Sequence, residues 1–289
     1  MRSSPGRWRS PRSCCAPCPA GSTTEWPRAR RASRATCPSR RCALNRIVCL
    51  VPSITELVCA LGLADQLVGR TGFCVHPKET LRRVPKVGGT KSVNLKKVRA
   101  LAPTHAIVNV DENRKETAEA LAEFVPNVIV THPLAPSDNL NLYRQIGGTF
   151  GKEREAEELC SRFDTSLREI EKLRFPQRRV LYLIWKEPWM TVSRDTYVSR
   201  TLALFGMHTL PRRSDARYPK LVDLHMAGTD LILLSTEPYR FTEEHRQAIE
   251  TQTALPVHLI DGEMTSWYGP RAIAGLAYLA EFSSRLSSR

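Results

Sequence analysis

Apolar and polar positions along this chain fall into short blocks, the first well-marked one running from Arg46 to Pro77. Ile47 to Val51 is an unbroken apolar run of strand length, suited to a strand covered on both faces. Pro52 and Ser53 then signal a helix start, Ser53 as its opening residue. Ile54, Leu57, Val58 and Leu61 share one face, and Gly62 is the stop. A second strand, Gln66 to Arg70, delivers Thr71, Gly72, Phe73, Cys74 and His76 to the carboxyl edge of the sheet, where ligands bind in open α/β folds.

The alternation continues. Val84 to Gly89 reaches a Gly-Gly turn, Asn94 to Leu101 reads as a helix, His105 to Val110 as a strand, Asn113 to Phe124 as a helix and Asn127 to Thr131 as a strand. Repeated strand and helix argue for a parallel sheet with helices on both faces. From Ser137 the period changes. A helix through Leu140 to Phe150 ends near Gly147, Gly148 and Gly151, and Lys152 to Phe175 then runs without Gly or Pro, predicting a helix roughly 35 Å long. Its stripe of Ala156, Leu159, Cys160, Phe163, Leu167, Ile170 and Leu173 fits a packed brace. A second α/β set follows, with strands at Arg179 to Ile184, Asp230 to Leu234 and Val257 to Ile260. Its helices are Tyr197 to Phe205, Thr242 to Glu250 and Pro270 to Leu286. The expected fold class is α/β, two Rossmann-like lobes with parallel sheets joined by one long rigid helix. The expected boundaries are 1–45 (tail), 46–136 (first lobe), 137–176 (short helix and connecting helix) and 177–289 (second lobe).

Composition changes this picture at one end only. The formal charge is +14, but eleven arginines against the single acid Glu25 place +10 of it in residues 1–46, so the folded part is only mildly basic and no nucleic-acid partner is expected. That tail is rich in Arg, Ser, Pro and Cys with no apolar period, so disorder, or a start codon set too early, is expected there. It lacks the apolar core of a secretory signal, and no run spans a bilayer, which reads as a cytoplasmic protein with no membrane insertion. Five of the nine cysteines lie in the tail, where Cys15-x-x-Cys18 has no second Cys/His pair to complete a zinc site. Cys49, Cys59 and Cys160 fall on apolar faces, leaving Cys74 as the one placed for chemistry.

The second set carries aromatics at its strand ends: Trp185, Trp189, Tyr239, Phe241, Trp267 and Tyr268. Several such rings at one rim suggest a flat, largely apolar ligand, while some would seal the surface between lobes.

The stretch RIVCLVPSITELVCALGLADQLVGRT, the following VPKVGGTKSVNLKKVRALAPTHAIV, the long connecting helix and the closing SWYGPRAIAGLAYLAEF together resemble the helical-backbone substrate-binding proteins of ABC importers, receptors for vitamin B12, iron-siderophores and haem. The likeness covers nearly all of Arg46 to Leu286 and is nearest the cobalamin-binding branch. It implies a ligand cleft between two lobes with little hinge motion, a small-molecule metal chelate as ligand, no required cofactor, an ABC permease as partner, a monomer and a periplasmic location. Carried over by position, the cleft residues would be Phe73, Cys74, His76, Thr90, Asp111, Glu112 and Asn113 in the first lobe. The second lobe would give Trp185, Tyr218, Glu263 and Trp267, with Trp189, Tyr239 and Tyr268 beside them. Three departures stand out. A signal for export is not apparent; Pro85 with basic neighbours occupies Val84 to Lys86, where the docking carboxylate would fall, leaving Asp223 for the second lobe; and Val75-His76 stands where the family often has an acid two places before the proline.

Two further readings remain open. Cys74 and His76 are candidate metal donors, thiolate and imidazole both suiting transition ions; a carrier or sensor without a permease would use them equally. As an enzyme, the chain would use Cys74 as nucleophile and His76 as base. However, a spacing of two rarely brings them together, and no nucleophile elbow, Walker loop or dinucleotide fingerprint is present.

Overall fold

The computed structural model describes residues 45–212 and 215–287; the Arg-rich tail expected to be disordered lies outside them. In the first lobe, β1 (Ile47–Cys49), β2 (Leu67–Arg70), β3 (His105–Asn109) and β4 (Asn127–Thr131) form a parallel sheet in the order β2-β1-β3-β4. Side-chain alternation divides its two faces. Ile47, Cys49 and Ile107 enter one core, while Val48, Leu50, Ala106 and Val108 enter another.

Helix α1 (Pro52–Ala60) begins on Pro52, whose fixed φ suits a first turn, and Gly62 follows it at φ +73°. Ser53 does not open this helix as expected: Val51 occupies the capping position, and the Ser53 hydroxyl is buried with no hydrogen-bond partner. A one-turn helix α2 (Lys78–Leu81) precedes α3 (Leu95–Ala100), where Asn94 caps by accepting from the Lys97 amide, and α4 (Lys115–Ala122) joins β3 to β4.

Two helices then connect the lobes, α5 (Asp138–Phe150) and α6 (Glu153–Lys172). At 20 residues α6 is about 30 Å long, shorter than the apolar stripe implied: Leu173 already has extended backbone and is exposed. Gly147 and Gly148 lie inside α5 rather than ending it; Gly151, in the left-handed region at φ +66°, is the residue that does. A methyl group at Gly147 would sit 2.5 Å from Ala156 Cβ and 2.8 Å from the Lys152 carbonyl oxygen, so the bare glycine is what lets α5 and the start of α6 come this close here.

The second lobe is built on β5 (Arg178–Trp185), flanked by β8 (Leu231–Ser235) and then β9 (Val257–Ile260), all parallel. Two strands went unpredicted: β6 (Met190–Thr191), antiparallel to β5 at one edge, and β7 (Met207–Thr209), parallel to its beginning. At two and three residues they are too short for a period to register. Helices α7 (Tyr197–Ala203), α8 (Glu243–Thr253), α9 (Gly262–Ser266) and α10 (Arg271–Ser287) complete the lobe.

One apolar cluster runs from the first lobe through α5, α6 and α10 into the second, joining Ile54, Leu57, Tyr143, Phe163, Val180, Tyr182, Leu279 and Phe282 among others. The two remaining clusters back the outer faces of the sheets. The lobes therefore share a core. Among the described residues no helix is long and apolar enough to cross a membrane.

Candidate functional site

Loops at the carboxyl ends of both sheets meet between the lobes, and each is held by its own buried polar brace. The loop after β2 is organised by Arg70, whose buried guanidinium donates to the carbonyls of Leu81 (3.1 and 3.0 Å), Thr71 (3.2 Å) and Cys74 (2.9 Å). It presents Phe73, 63% exposed, and His76, whose Nε2 lies 3.1 Å from the Glu263 carboxylate of the other lobe. The loop after β3 is built on two asparagines. Asn109 Oδ1 accepts from the amides of Asp111 (2.8 Å) and Glu112 (3.3 Å), and Asn113 donates to the carbonyls of Leu50 (3.2 Å) and Thr90 (3.0 Å).

Asp111 and Glu112 are thus fixed at the rim, and both reach the second lobe. Asp111 accepts from the Tyr218 hydroxyl at 3.0 Å and pairs with Arg217, which also contacts His132. Burial alone would raise its pKa, but His132, Arg217 and Tyr218 outweigh that and hold it below the ordinary carboxylate value. Glu112 accepts from Tyr268. Lost hydration pushes its carboxyl up to about 7, with the charges of Asp111 and Glu237 adding to the effect and Tyr268 and Lys91 opposing it. Lys91 donates to the Asp111 carbonyl at 2.6 Å.

On the second lobe, α9 is capped by Asp261, which accepts from the Met264 amide at 3.1 Å and so places Glu263 toward His76. Arg271 binds Glu56 of α1 through two 2.9 Å hydrogen bonds, lies 3.0 Å from Glu263, and stacks its guanidinium 4.9 Å from the Trp267 ring centre. Trp267 donates to Glu237 at 3.0 Å and meets His76 edge-on. Trp185, 40% exposed at the end of β5, packs edge-on against Tyr239.

Several candidates sit differently from the sequence reading. Cys74 is 0% exposed, its thiol 3.1 Å from both Thr55 and Thr71 hydroxyls and facing the Cys49 carbonyl in the first-lobe core. Burial raises its pKa, so neither thiolate nucleophile nor metal donor fits it. His76 faces the other lobe and an acid instead of sharing a site with Cys74. Among the described residues no group of three His, Cys, Asp or Glu side chains could hold a metal ion. Asn113 is a buried brace, and Thr90 enters through its carbonyl, not its side chain. Trp189 stacks on Phe241 and, with Tyr239, packs into the second-lobe core. Trp267 and Tyr268 are buried, not exposed as the aromatic run suggested. Arg217, His132, Glu237, Arg271 and Glu56 were missed. His132 directly follows β4, so its place at a strand's carboxyl end was the signal that could have found it.

Comparison with known proteins identifies the family and the fold. Residues 47–218 match the family described as periplasmic binding protein. The chain belongs to this family. Relatives of this periplasmic binding protein include an uncharacterised ABC transporter substrate-binding lipoprotein, YvrC, of Bacillus subtilis, 25% identical over 82% of the chain and 79% of that protein. The vitamin B12-binding protein of Pectobacterium carotovorum is 22% identical over 84% of the chain and 90% of its own length. Among solved structures, the periplasmic vitamin B12-binding protein BtuF of Vibrio cholerae superposes with a TM-score of 0.69 at 16% identity, covering 85% of this chain and 98% of that one. The periplasmic haem-binding protein RhuT of Roseiflexus gives 0.70 at 18% identity, over 83% and 99%. The two-lobed periplasmic binding protein fold is therefore the one this chain adopts.

Proposed function

We propose that this protein is the substrate-binding component of an ABC importer and captures a flat metal chelate of the cobalamin or haem class between its lobes. The observation that carries the reading is that each lobe leaves a large ring exposed on a loop or strand end at the carboxyl edge of its sheet, Phe73 in one and Trp185 in the other, together with a rim of polar groups already within bonding reach of one another. Exposed aromatic faces suit a macrocycle, and polar groups such as Asp111, Tyr218, Arg217, Glu112 and His76 suit its amide or carboxylate periphery. Entry of ligand exchanges some of the bonds between lobes for bonds to the chelate. Relatives whose names specify vitamin B12 and haem support the class.

In this reading the chelate is cargo, the chain itself catalyses nothing and needs no cofactor, and the working unit is a monomer. It acts outside the cytoplasm, as its periplasmic and lipoprotein relatives do, and docks on a permease with Asp223, exposed on the second lobe, as one contact. Titration of the purified protein with cyanocobalamin and with haemin, followed by visible absorbance and tryptophan quenching, tests the function. Saturable binding of one of them is expected, and Trp185→Ala should weaken it about tenfold, roughly the worth of one ring contact. Failure of both to bind would overturn the proposal.

A further inference from the structure

At the opposite end of the second sheet from the cleft, the strand beginnings surround a hollow of about 450 Å³. Its wall is cationic: Arg178, Arg179, Arg194, Arg212 and His208 line it together with a single carboxylate, Asp230. The clustering follows from topology. Strands β5 and β7 are parallel with Arg179 opposite His208, which puts the two side chains on the same sheet face. Strand β6 runs antiparallel to β5, with Thr191 opposite Leu183, so the chain leaving it carries Arg194 back toward the start of β5.

Two of these positions are held by further bonds, one of them to Gln177, which also lines the hollow. Arg178 donates to the Leu286 carbonyl of α10 at 2.8 Å, and His208 bonds Gln177 at 2.5 Å. Asp230 accepts from the Arg179 backbone amide at 2.7 Å and from its guanidinium at 2.7 and 3.2 Å, and the charge of Arg178 also acts on it. Among the described residues lining the hollow, four guanidinium groups thus stand beside one carboxylate. Burial, and then the charges of Arg194 and Arg212, push the His208 pKa down, as a positive field acting on the imidazole would.

Like charges gathered in a concave wall repel one another unless an anion joins them, and planar guanidinium groups match the oxygens of phosphate in paired hydrogen bonds. We propose that this hollow is a second binding site, separate from the cleft, for a multiply charged oxyanion of the phosphate class. The same chemistry belongs to a soluble phosphate compound and to an anionic lipid headgroup.

The experiment uses the full chain, wild type and Arg194→Glu/Arg212→Glu, so that the basic tail is identical in both. Inorganic phosphate is titrated at 150 mM salt with the His208 ring resonances followed by NMR, which tail binding would not move. In parallel, both proteins are sedimented with phosphatidylglycerol vesicles and with phosphatidylcholine vesicles. A saturable His208 shift with inorganic phosphate, weakened at least about tenfold in the variant, supports a soluble ligand. Sedimentation with phosphatidylglycerol but not phosphatidylcholine, lost in the variant, supports a headgroup. Absence of both responses in the wild type, or their persistence in the variant, overturns the proposal; cleft binding of cobalamin or haemin, unchanged in the variant, confirms that it is folded.

Discussion

Glu112 illustrates how one side chain couples the rim to solution conditions. Its carboxyl sits near 7 in the folded protein, against an ordinary 4.5, because burial beside Asp111 and Glu237 disfavours the charge. The unfolded chain therefore releases its proton first as pH rises, and stability should fall between about pH 4.5 and 7 from this group. Glu112→Gln, which keeps the hydrogen-bonding shape facing Tyr268 without the charge, should flatten that slope and gain about 1 kcal/mol at pH 8, as read by urea unfolding at several pH values. An unchanged slope would show that the carboxyl is solvated. Asp111 acts in the opposite sense: its pKa is depressed, so its contribution is present above about pH 4 and lost on acidification. Cys74 is the counterpart among thiols. Shut between Thr55 and Thr71, it should resist iodoacetamide in the native protein and react on unfolding, as peptide mapping of the labelled sites would reveal.

Elements were most legible where an apolar run was bounded by clear breaks. The strand Asn127–Thr131 and the strand Val257–Ile260 stand where the apolar runs put them, and α1 follows from Pro52 and the apolar spacing behind it. Glycines were less legible, since a helix-ending glycine and a helix-packing glycine look alike in sequence. Gly151 ends α5, whereas Gly147 lets α6 approach it. Replacing Gly147 with Ala should raise helix propensity yet destabilise the protein by about 1–3 kcal/mol, because the added methyl meets Ala156 and the backbone of Lys152. Denaturant midpoints of Gly147→Ala and the exposed-side control Gly148→Ala, which meets nothing within 4 Å, separate packing from propensity.

For the whole molecule, the continuous core through α5, α6 and α10 matters more than the length of the bracing helix. Two lobes that share Tyr143, Phe163 and Phe282 in one cluster cannot separate widely without exposing it. Calorimetry should accordingly record a single unfolding transition in which tryptophan fluorescence and far-UV circular dichroism coincide, unlike two lobes on a flexible hinge. Two resolved transitions would show that the lobes fold independently.

Sequence by itself determined what depends on near neighbours: alternating strands and helices, the parallel pairing of the main strands, the long amphipathic helix and the strand-end loops that form a rim. Local hydropathy specifies these because each buries its own apolar face. Tertiary structure alone decided which rim residues meet. Arg217 reaches Asp111 across 106 positions of chain, Tyr268 reaches Glu112 across 156 and Arg271 reaches Glu56 across 215. No periodicity encodes such pairs, since they depend on how one lobe is set against the other. The same is true of Cys74: its loop was legible, but the side of the loop its thiol faces was settled by the close packing of the first-lobe core.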